Sequence, residues 1–487
     1  MISTVLIRQM PLADFIWKPC LRGNCDLIRW VSFLSPTYMR PQIYFLKSYR
    51  EIMLLEFSVK NFLSIKDEVI LSLYASDEVK GHEKHNLIPV AERHILKTAV
   101  IYGANASGKS NVIKAMGFMC GVITNSLKLN PGEPIVPIRD YPSFQLHSES
   151  AKAPLEMEVS FLYQDVYYRY GFALDAERIH REWLYSAPEE SESLLYERWF
   201  EKASYQYKLS ENLLIAKDFA NDGTLPANTL LLAILAKFTD SPPRRVMEWM
   251  ENAFNVIPNP DENFYKWDTY GKLDEEDYRA DILNFLKVAD VGIENVFVES
   301  LTATYLTDGI PEKLRDKLTQ MITPGAKQVV FQHSIFEDNG AVAGTENWGQ
   351  NHESAGTQKL FALSGPLIET LKKGEVLVID ELDAKLHPMM MRFIIGLFHS
   401  QEQNPHDAQL IFATHDTQLL SPRFFRRDQI WFTEKTPYGS TELYSLADFD
   451  LDDKADFSSD YFQGRYNAVP FIGDLRLFYK GVGHGKK

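Results

Sequence analysis

Apolar and polar positions alternate at the start of the first strongly patterned stretch of the chain. From Met53 onward, Leu55, Phe57 and Val59 alternate with polar residues. A period of two is typical of a strand with one buried face. The pattern predicts two paired strands between Met53 and Leu73.

A longer alternating stretch lies between Pro154 and Tyr185. Apolar residues recur there at every second position, as in Met157, Val159 and Phe161. Polar residues separate successive runs, as they do at turns between neighbouring strands. We therefore expect an antiparallel β subdomain in this part of the chain.

Short apolar runs predict buried strands elsewhere, and apolar residues three or four positions apart predict helices. The further strand predictions are Ala99 to Tyr102, Gln328 to Phe336, Glu375 to Asp380 and Gln409 to Thr414, with a hairpin from Gln429 to Leu446 around Pro437, Tyr438 and Gly439. The helical predictions are Leu230 to Phe254, interrupted at Pro242 and Pro243, then Tyr278 to Ala289 and Pro311 to Ile322. This mixture predicts an α/β fold with an inserted, mainly helical region.

Composition narrows the class of protein. The 487 residues carry 45% apolar and 24% charged side chains, which is a globular composition. The net charge of −15 disfavours binding to nucleic acid or anionic membranes through overall charge. Three cysteines cannot form a disulfide framework, and the longest apolar run, Leu230 to Ala236, is too short to cross a bilayer. We expect a cytoplasmic protein that does not bind membranes.

Residues 1–52 differ from the rest of the chain because they are basic and poor in acidic residues. They contain no apolar core followed by a small-residue cleavage site, so a signal peptide is not predicted. Two interpretations remain. The segment is either a peripheral extension or upstream sequence read through from an early start codon, with Met53 opening the folded unit.

The clearest chemical motif is a glycine-rich loop between the predicted strand Ala99 to Tyr102 and a helical run. It reads Gly103, Ala104, Asn105, Ala106, Ser107, Gly108, Lys109 and Ser110, and Asn111 follows it. Such a loop turns backbone N–H groups and a helix N-terminus toward one point, where they bind phosphate. Lys109 supplies charge to the outer phosphates, and the Ser110 hydroxyl is a ligand for Mg²⁺.

Two carboxylates follow the apolar strand that ends at Ile379. Parallel strands of an open α/β sheet present their carboxyl ends at one edge, where ligands bind. Asp380 is therefore expected to hold Mg²⁺ beside the phosphate loop. Glu381 is expected to polarise the attacking water.

Two further segments bear on the same edge. Ser354 and Gly356 stand at the start of a helical pattern, and a helix N-terminus can bind an anion. His415 follows the predicted strand Gln409 to Thr414, at another carboxyl end. Taken alone, Ser354 is more typical of a plain helix N-cap, and His415 is as typical of a structural histidine as of a functional one.

The ordered set of motifs resembles the ATP-binding cassette ATPases, specifically the soluble, SMC-like AAA-family branch with the OLD and RloA-like proteins of bacterial phage-defence loci. The resemblance runs from about Met53 to the C-terminus and includes the segment Arg465 to Pro470. It implies an ABC-type P-loop ATPase head that binds ATP and Mg²⁺. Gly103 to Ser110 would be Walker A, Asp380 and Glu381 Walker B, Ser354 with Gly356 the signature, Leu382 to His387 the D-loop and His415 the switch histidine.

The resemblance also implies how the chain is divided. Residues 53–200 would form the first half of the head, 201–345 an inserted helical or mixed region, and 346–487 the second half. The sequence departs from the cassette pattern in its signature, which reads Glu-Ser-Ala-Gly-Thr, and at His387, where the D-loop usually ends in Asp. Gln145 is the candidate for the glutamine loop.

Cassette ATPases complete each nucleotide site with the signature serine of a second subunit. The resemblance therefore implies a homodimer or higher oligomer closed by ATP. It also implies a sensor or scaffold in an anti-phage system, responding to a phage protein and controlling a separate effector, such as a Toprim or other nuclease or a toxin.

Two alternatives stay open. An OLD-like nuclease would use an acidic cluster, for which Asp448, Asp450, Asp452 and Asp453 are candidates. A DNA-repair ATPase would bind nucleic acid through basic groups. Arg423, Arg426 and Arg427 form one such group, and Arg244 with Arg245 form another.

Overall fold

The computed structural model describes most of the chain after residue 51. The described residues are 52–187, 191–211, 213, 216, 225–238, 241–259, 261, 265–289, 291–300, 327–452 and 455–469. The extension 1–52, apart from Ile52, and the helix expected from Pro311 to Ile322 therefore lie outside the described residues.

Strands and helices alternate along the described parts of the chain. The strands are β1 (Ile52–Lys60), β2 (Val69–Ser72), β3 (Leu87–Val90), β4 (Arg93–Leu96), β5 (Thr98–Gly103), β6 (Leu155–Tyr163), β7 (Val166–Leu174), β8 (Ile179–Ala187), β9 (Ser193–Glu201), β10 (Ser204–Leu209), β11 (Phe254–Ile257), β12 (Asn295–Ser300), β13 (Lys327–Phe336), β14 (Val342–Gly349), β15 (Val376–Ile379), β16 (Gln409–Ala413), β17 (Ile430–Lys435) and β18 (Thr441–Ser445). The helices are α1 (Glu83–Asn86), α2 (Lys109–Asn125), α3 (Leu231–Leu235), α4 (Pro242–Asn252), α5 (Lys266–Lys272), α6 (Glu276–Val288), α7 (Ala355–Lys373), α8 (Pro388–His399) and α9 (Phe457–Phe462). The fold is mixed α/β, as the patterns predicted.

A seven-stranded antiparallel sheet forms the β subdomain. Its order is β10-β9-β8-β7-β6-β1-β2. The predicted pair after Met53 is confirmed, because β1 pairs with β2 antiparallel with Phe57 opposite Leu71. The predicted antiparallel β subdomain is confirmed by the pairing of β6, β7 and β8. Leu54 N–H donates to Gln409 Oε1 at 2.7 Å, which joins this sheet to β16.

A second sheet of six strands holds the chemical motifs. Its order is β11-β15-β16-β5-β17-β18, and the strands from β11 to β17 run parallel. The last pair, β17 with β18, is the hairpin predicted around Gly439. All four residues of β15 and all five of β16 are buried. Strands buried on both faces are rich in apolar residues, and every residue of these two strands except Gln409 is apolar.

Helices cover both faces of the parallel sheet. Helix α2 contacts β5, β11 and β16 on one face. On the other face α7 contacts β15, and α8 contacts β16. Side chains of this second face, such as Leu377 and Phe412, belong to one apolar core with Leu363 and Ile394 of the covering helices. The layers hold the carboxyl ends of the parallel strands at a common edge.

The region predicted as an insertion from 201 to 345 needs a correction. Its strand β11 pairs with β15, with Val256 opposite Val378, so this stretch belongs to the sheet of the head itself. The helix predicted from Leu230 to Phe254 therefore included Phe254, which is the first residue of β11. The same region also contains the helices α3 to α6, the strands β12 and β13, and the first residues of β14. The strands β12, β13 and β14 form a three-stranded antiparallel sheet.

The interruption predicted at Pro242 and Pro243 coincides with the start of a helix. Both prolines occupy the first turn of α4, where their missing N–H groups remove no helical hydrogen bond. Ser241 caps this helix through its side-chain oxygen, which accepts from Arg244 N. The helix expected from Tyr278 to Ala289 is present as α6.

Candidate functional site

The glycine-rich loop joins β5 to α2 with backbone angles that favour glycine. Gly103 has φ of 155° and Gly108 has φ of 113°. A Cβ atom on Gly103 would lie 2.5 Å from Thr433 O, and one on Gly108 would lie 2.1 Å from Thr441 Oγ1. Both positions therefore require glycine for conformation and for space.

The side chain of Lys109 lies inside this loop and is only 5% exposed. Its Nζ donates to Gly103 O at 2.8 Å and to Ala104 O at 3.1 Å. Burial lowers the pKa of Lys109, and the carboxylates of Asp380, Glu381 and Asp383 oppose that shift. The cation is therefore held at the centre of the loop by carbonyls and nearby acids. Asn105 and Ala106, at the tip of the loop, are exposed.

Hydroxyl groups fasten the loop to its neighbours. Ser107 Oγ lies 2.6 Å from Thr433 Oγ1, and Thr441 Oγ1 donates to Ser107 O at 2.8 Å. Asn111 Nδ2 donates to Ser64 Oγ at 2.6 Å, and that oxygen lies 2.7 Å from Thr441 Oγ1. Sequence reasoning missed Ser64, Thr433 and Thr441, because single serines and threonines carry no periodic signal.

The structure brings the acidic pair to the loop. The Ser110 side chain lies close enough to the carboxylate of Asp380, which is 2% exposed, to affect its pKa. Burial raises the pKa of Asp380, whereas the nearby Ser110 side chain lowers it. Asp380 Oδ1 is buried and has no hydrogen-bond partner among the described residues. A buried carboxylate oxygen left unpaired next to a hydroxyl fits a hard, oxygen-preferring cation such as Mg²⁺.

Glu381, which follows, has φ of 47°, so the chain turns sharply at the end of β15. The next segment returns across the sheet edge, where Leu382 N–H donates to Ala413 O at 3.2 Å. His415 N–H donates to Asp383 Oδ2 at 3.1 Å, while the imidazole of His415 is exposed. Asp383 thus links the segment after the acidic pair to His415. Sequence reasoning missed this residue, although its place in the acidic run after β15 was a usable signal.

The predicted signature segment lies at the start of α7. Ser354 is the N-cap of α7, and Thr357 N–H donates to its Oγ at 3.1 Å. Ser354 is exposed, and within the described ranges no hydrogen bond joins it to the phosphate loop. A Cβ atom on Gly356 would lie 3.0 Å from Lys385 O, so this segment lies against the residues that follow the acidic pair.

His387, one of the departures from the cassette pattern, and Gln145, the candidate for the glutamine loop, both make local contacts. His387 is the N-cap of α8 and directly precedes Pro388 in the first turn. Its Nδ1 accepts a hydrogen bond from Met389 N–H at 3.2 Å. Gln145 is exposed, and its Nε2 donates to Ser143 Oγ at 2.7 Å. Gln145 also lines a cavity of about 490 Å³ together with Arg139. Its place in the catalytic site stays a prediction.

At least three of the nine residues proposed for the two alternatives contact other residues of the fold, and one, Asp453, lies outside the described residues. Arg426 is 3% exposed, and its guanidinium contacts Asp428 and backbone carbonyls. Arg244 pairs with Glu248. Asp448 accepts from Ser445 N at 2.9 Å within a one-turn helix. The described residues contain no group of three or more His, Cys, Asp or Glu side chains that could hold a metal ion.

Comparison with known proteins gives a family. The profile of a family described as "AAA domain, putative AbiEii toxin, Type IV TA system" matches residues 99–421. This chain belongs to that AAA family. The matched range contains the phosphate loop, the signature segment, the acidic pair and His415, so the family assignment covers every motif of the predicted nucleotide site.

Other comparisons add less. A solved structure described as "Structure of the recombination mediator protein RecF-ATP in RecFOR pathway" is similar to this AAA protein with 13% identity and a TM-score of 0.31. The similarity covers 82% of this chain and 99% of that chain. No curated protein matches the sequence. None of the helices in the described part of the chain is long and apolar enough to cross a membrane.

Proposed function

We propose that this AAA protein binds ATP with Mg²⁺ at the edge of its parallel sheet and hydrolyses it. The observation that carries the proposal is the position of the Ser110 side chain beside the buried carboxylate of Asp380, next to the enclosed cation of Lys109. The adjacent loop residues Lys109 and Ser110 and the distant acid Asp380 meet at one helix N-terminus. Such an arrangement suits a triphosphate and its cation.

Each residue has a distinct role in this proposal. The backbone N–H groups from Gly103 to Ser110 bind phosphate oxygens, and Lys109 balances the charge of the outer phosphates. Ser110 and Asp380 would hold Mg²⁺, which when bound neutralises charge that develops on the phosphates. Glu381 orients a water and takes its proton as the water oxygen bonds the γ-phosphorus and the bond to the bridging oxygen of ADP breaks. His415 would contact the γ-phosphate side of the site.

A second copy of the chain would complete the site. The exposed N-terminus of α7 carries Ser354 outward, and this geometry supports a role for it in a partner's nucleotide site rather than in its own. A helix N-terminus adds positive potential to the γ-phosphate. ATP would therefore join two chains head to tail, and hydrolysis would loosen them, which makes the enzyme a two-state switch.

We further infer that the switch serves anti-phage defence in the cytoplasm by controlling a separate effector. The support is the resemblance to OLD and RloA-like proteins and the toxin named in the family description. The partners of this proposal are a nuclease or toxin as effector and a phage protein as trigger. The nuclease and DNA-repair alternatives have weaker support, because Asp448 and Arg426 are engaged in contacts within the fold.

A pair of variants tests the ATPase proposal. Lys109→Ala is expected to weaken ATP binding by roughly a hundredfold or more, because it removes the cation of the loop. Glu381→Gln is expected to bind ATP normally, to remain a dimer in its presence and to show little turnover. Titration calorimetry, sizing with ATP and phosphate release are the measurements. Lys202→Ala, at an exposed lysine, is the matched control.

Specific results would contradict these roles. Normal ATP binding by Lys109→Ala would show that the loop is not the nucleotide site. Turnover of Glu381→Gln at the wild-type rate would show that another group takes the proton.

The effector proposal needs its own experiment. Proteins encoded beside this chain would be co-expressed with the Glu381→Gln variant and captured with and without ATP, and a nuclease or toxin is expected to bind in a nucleotide-dependent way. DNA cleavage by the purified chain with Mn²⁺ would instead favour the OLD-like nuclease. DNA affinity that falls steeply with salt, and that is lost in Arg423→Ala, would favour the repair ATPase.

A further inference from the structure

A histidine in the three-stranded sheet contacts the residue directly before the signature serine. His333 lies on β13, and its Nε2 is 2.6 Å from Glu353 Oε1. Its Nδ1 is 2.9 Å from Gly292 O. Each ring nitrogen therefore lies within hydrogen-bond distance of an oxygen. The ring is therefore fixed at both ends.

The surroundings hold this contact in place. The side chains of His333 and Glu353 are 15% and 5% exposed. The indole of Trp348 lies 4.4 Å from the imidazole, centre to centre, on the neighbouring strand β14. A mostly buried polar contact of this kind is screened little by solvent, and loss of one partner leaves the other without compensation.

A second contact joins the same sheet to the helix that Ser354 begins. Phe331 of β13 meets Phe361 of α7 edge to face, with ring centres 5.0 Å apart. Glu353 is also tied to α7, because its carbonyl accepts from Gln358 Nε2 at 2.9 Å. Strand β13 therefore contacts the residue before Ser354, which is Glu353, and a residue after it, which is Phe361.

We propose that His333 is a positioning residue for hydrolysis, which fixes Ser354 through Glu353 and so couples the three-stranded sheet to the nucleotide site of a second copy. This inference rests on the proposed composite site. The inference goes beyond the composite site because it assigns a function to the three-stranded sheet. A displacement of β13 would move the signature serine while leaving the phosphate loop of the same chain unchanged.

The first test separates turnover from binding. His333→Ala is expected to lower kcat by roughly 10- to 100-fold, the range seen when a supporting residue behind a functional group is lost. The affinity of the single chain for ATP is expected to stay within about twofold, because the loop and Asp380 lie on other elements. His352→Ala, at the exposed neighbour of Glu353, is the matched control and should behave like the wild type.

Variants of the partner residue test the path of the effect. Glu353→Ala should reproduce His333→Ala, and the double variant should be no worse than either single one, because both remove the same contact. Glu353→Gln keeps an acceptor for the imidazole and should recover most of the turnover. Additive losses in the double variant would overturn the inference.

Mixing experiments decide whether the effect acts across the dimer. Lys109→Ala has an intact signature and a disabled loop, whereas His333→Ala has the reverse. Mixed dimers would contain one complete site, so an equal mixture should recover to about a quarter of wild-type activity, given random pairing of two copies. Ser354→Ala mixed with Lys109→Ala is the positive control.

The outcomes distinguish the two proposals. If the Ser354→Ala mixture recovers and the His333→Ala mixture does not, His333 supports its own chain's site, and this inference is overturned while the composite site stands. If neither mixture recovers, the composite site is overturned, and this inference with it. A fall in ATP affinity equal to the fall in kcat would also contradict a positioning role.

Discussion

The N-termini of α2 and α7 use the same chemical device in opposite ways. The start of α2 is enclosed by its own chain, with Lys109 only 5% exposed and with Ser110 beside the buried carboxylate of Asp380. The start of α7 is capped by Ser354, which is exposed. A helix N-terminus attracts anions in either setting. Burial therefore distinguishes the site that a chain builds for itself from the one that it offers to another molecule.

The difference between the two segments is tested most directly by replacing one glycine with alanine in each of them. Gly108→Ala places a Cβ atom 2.1 Å from Thr441 Oγ1 on a backbone with positive φ. We expect a loss of about 3 kcal/mol in the free energy of unfolding, from steric overlap and backbone strain, together with loss of ATP binding. Chemical denaturation and nucleotide titration would measure both. A variant with wild-type stability would show that the loop adapts easily.

The matched change in the other segment is Gly356→Ala. Its Cβ would meet Lys385 O at 3.0 Å, and the position lies in the first turn of a helix, where alanine is favoured over glycine. Stability is expected to change by less than about 1 kcal/mol, and ATP binding should persist, whereas turnover should fall several-fold. Equal losses of binding in the two glycine variants would remove the distinction between the segments.

Replacement of the N-cap residue Ser354 is expected to lower stability less than Gly108→Ala does. Ser354→Ala removes the acceptor for Thr357 N–H and should cost about 1 kcal/mol in the free energy of unfolding. The proposed role in a partner's site predicts a much larger effect on turnover than on stability. Ser354→Asp preserves the cap, so it should restore the stability without restoring turnover. Recovery of turnover in that variant would assign Ser354 a capping role only.

The smallest expected effect on ATP turnover comes from the opposite edge of the same sheet. Glu375, before β15, is buried, and this burial raises its pKa to about 7; Asn255 Nδ2 donates to its carboxylate. Between pH 4.5 and 7 the unfolded chain has released a proton that the folded chain retains, so this carboxyl lowers stability as the pH rises through that window.

Glu375→Gln should remove this dependence. The free energy of unfolding of the variant, minus that of the wild type, should rise by roughly 2 kcal/mol from pH 5 to pH 7. Denaturation at several pH values measures the difference, with Glu92→Gln at an exposed position as the control. A difference that stays constant with pH would show that Glu375 is charged in the folded protein throughout this range. ATP turnover should be unaffected.

Sequence reasoning was most successful where the chemistry is local. The loop from Gly103 to Ser110 was recognisable because its glycines and its lysine have fixed spacing, and the apolar runs before Asp380 and His415 predicted strands that the structure contains. Strand β11 was missed because four residues at the end of a helical pattern carry no period of their own.

Contacts between distant segments could not be read from the sequence. The hydroxyl groups around Ser107 lie on residues more than 300 positions away, and the contact of His333 with Glu353 crosses from a strand to a loop. Ser, Thr and His are common at solvated surfaces, so only the tertiary fold shows which of them meet.

The position of β5 has a consequence for how the protein is made. Its two neighbours in the sheet are β16 and β17, both supplied by residues beyond 400. While a ribosome synthesises the chain from the N-terminus, β5 must wait with both hydrogen-bonding edges bare, although the antiparallel sheet can already form. Folding of the nucleotide site should therefore be late and slow, and nascent chains interrupted before residue 409 should be targets for chaperones and prone to aggregate.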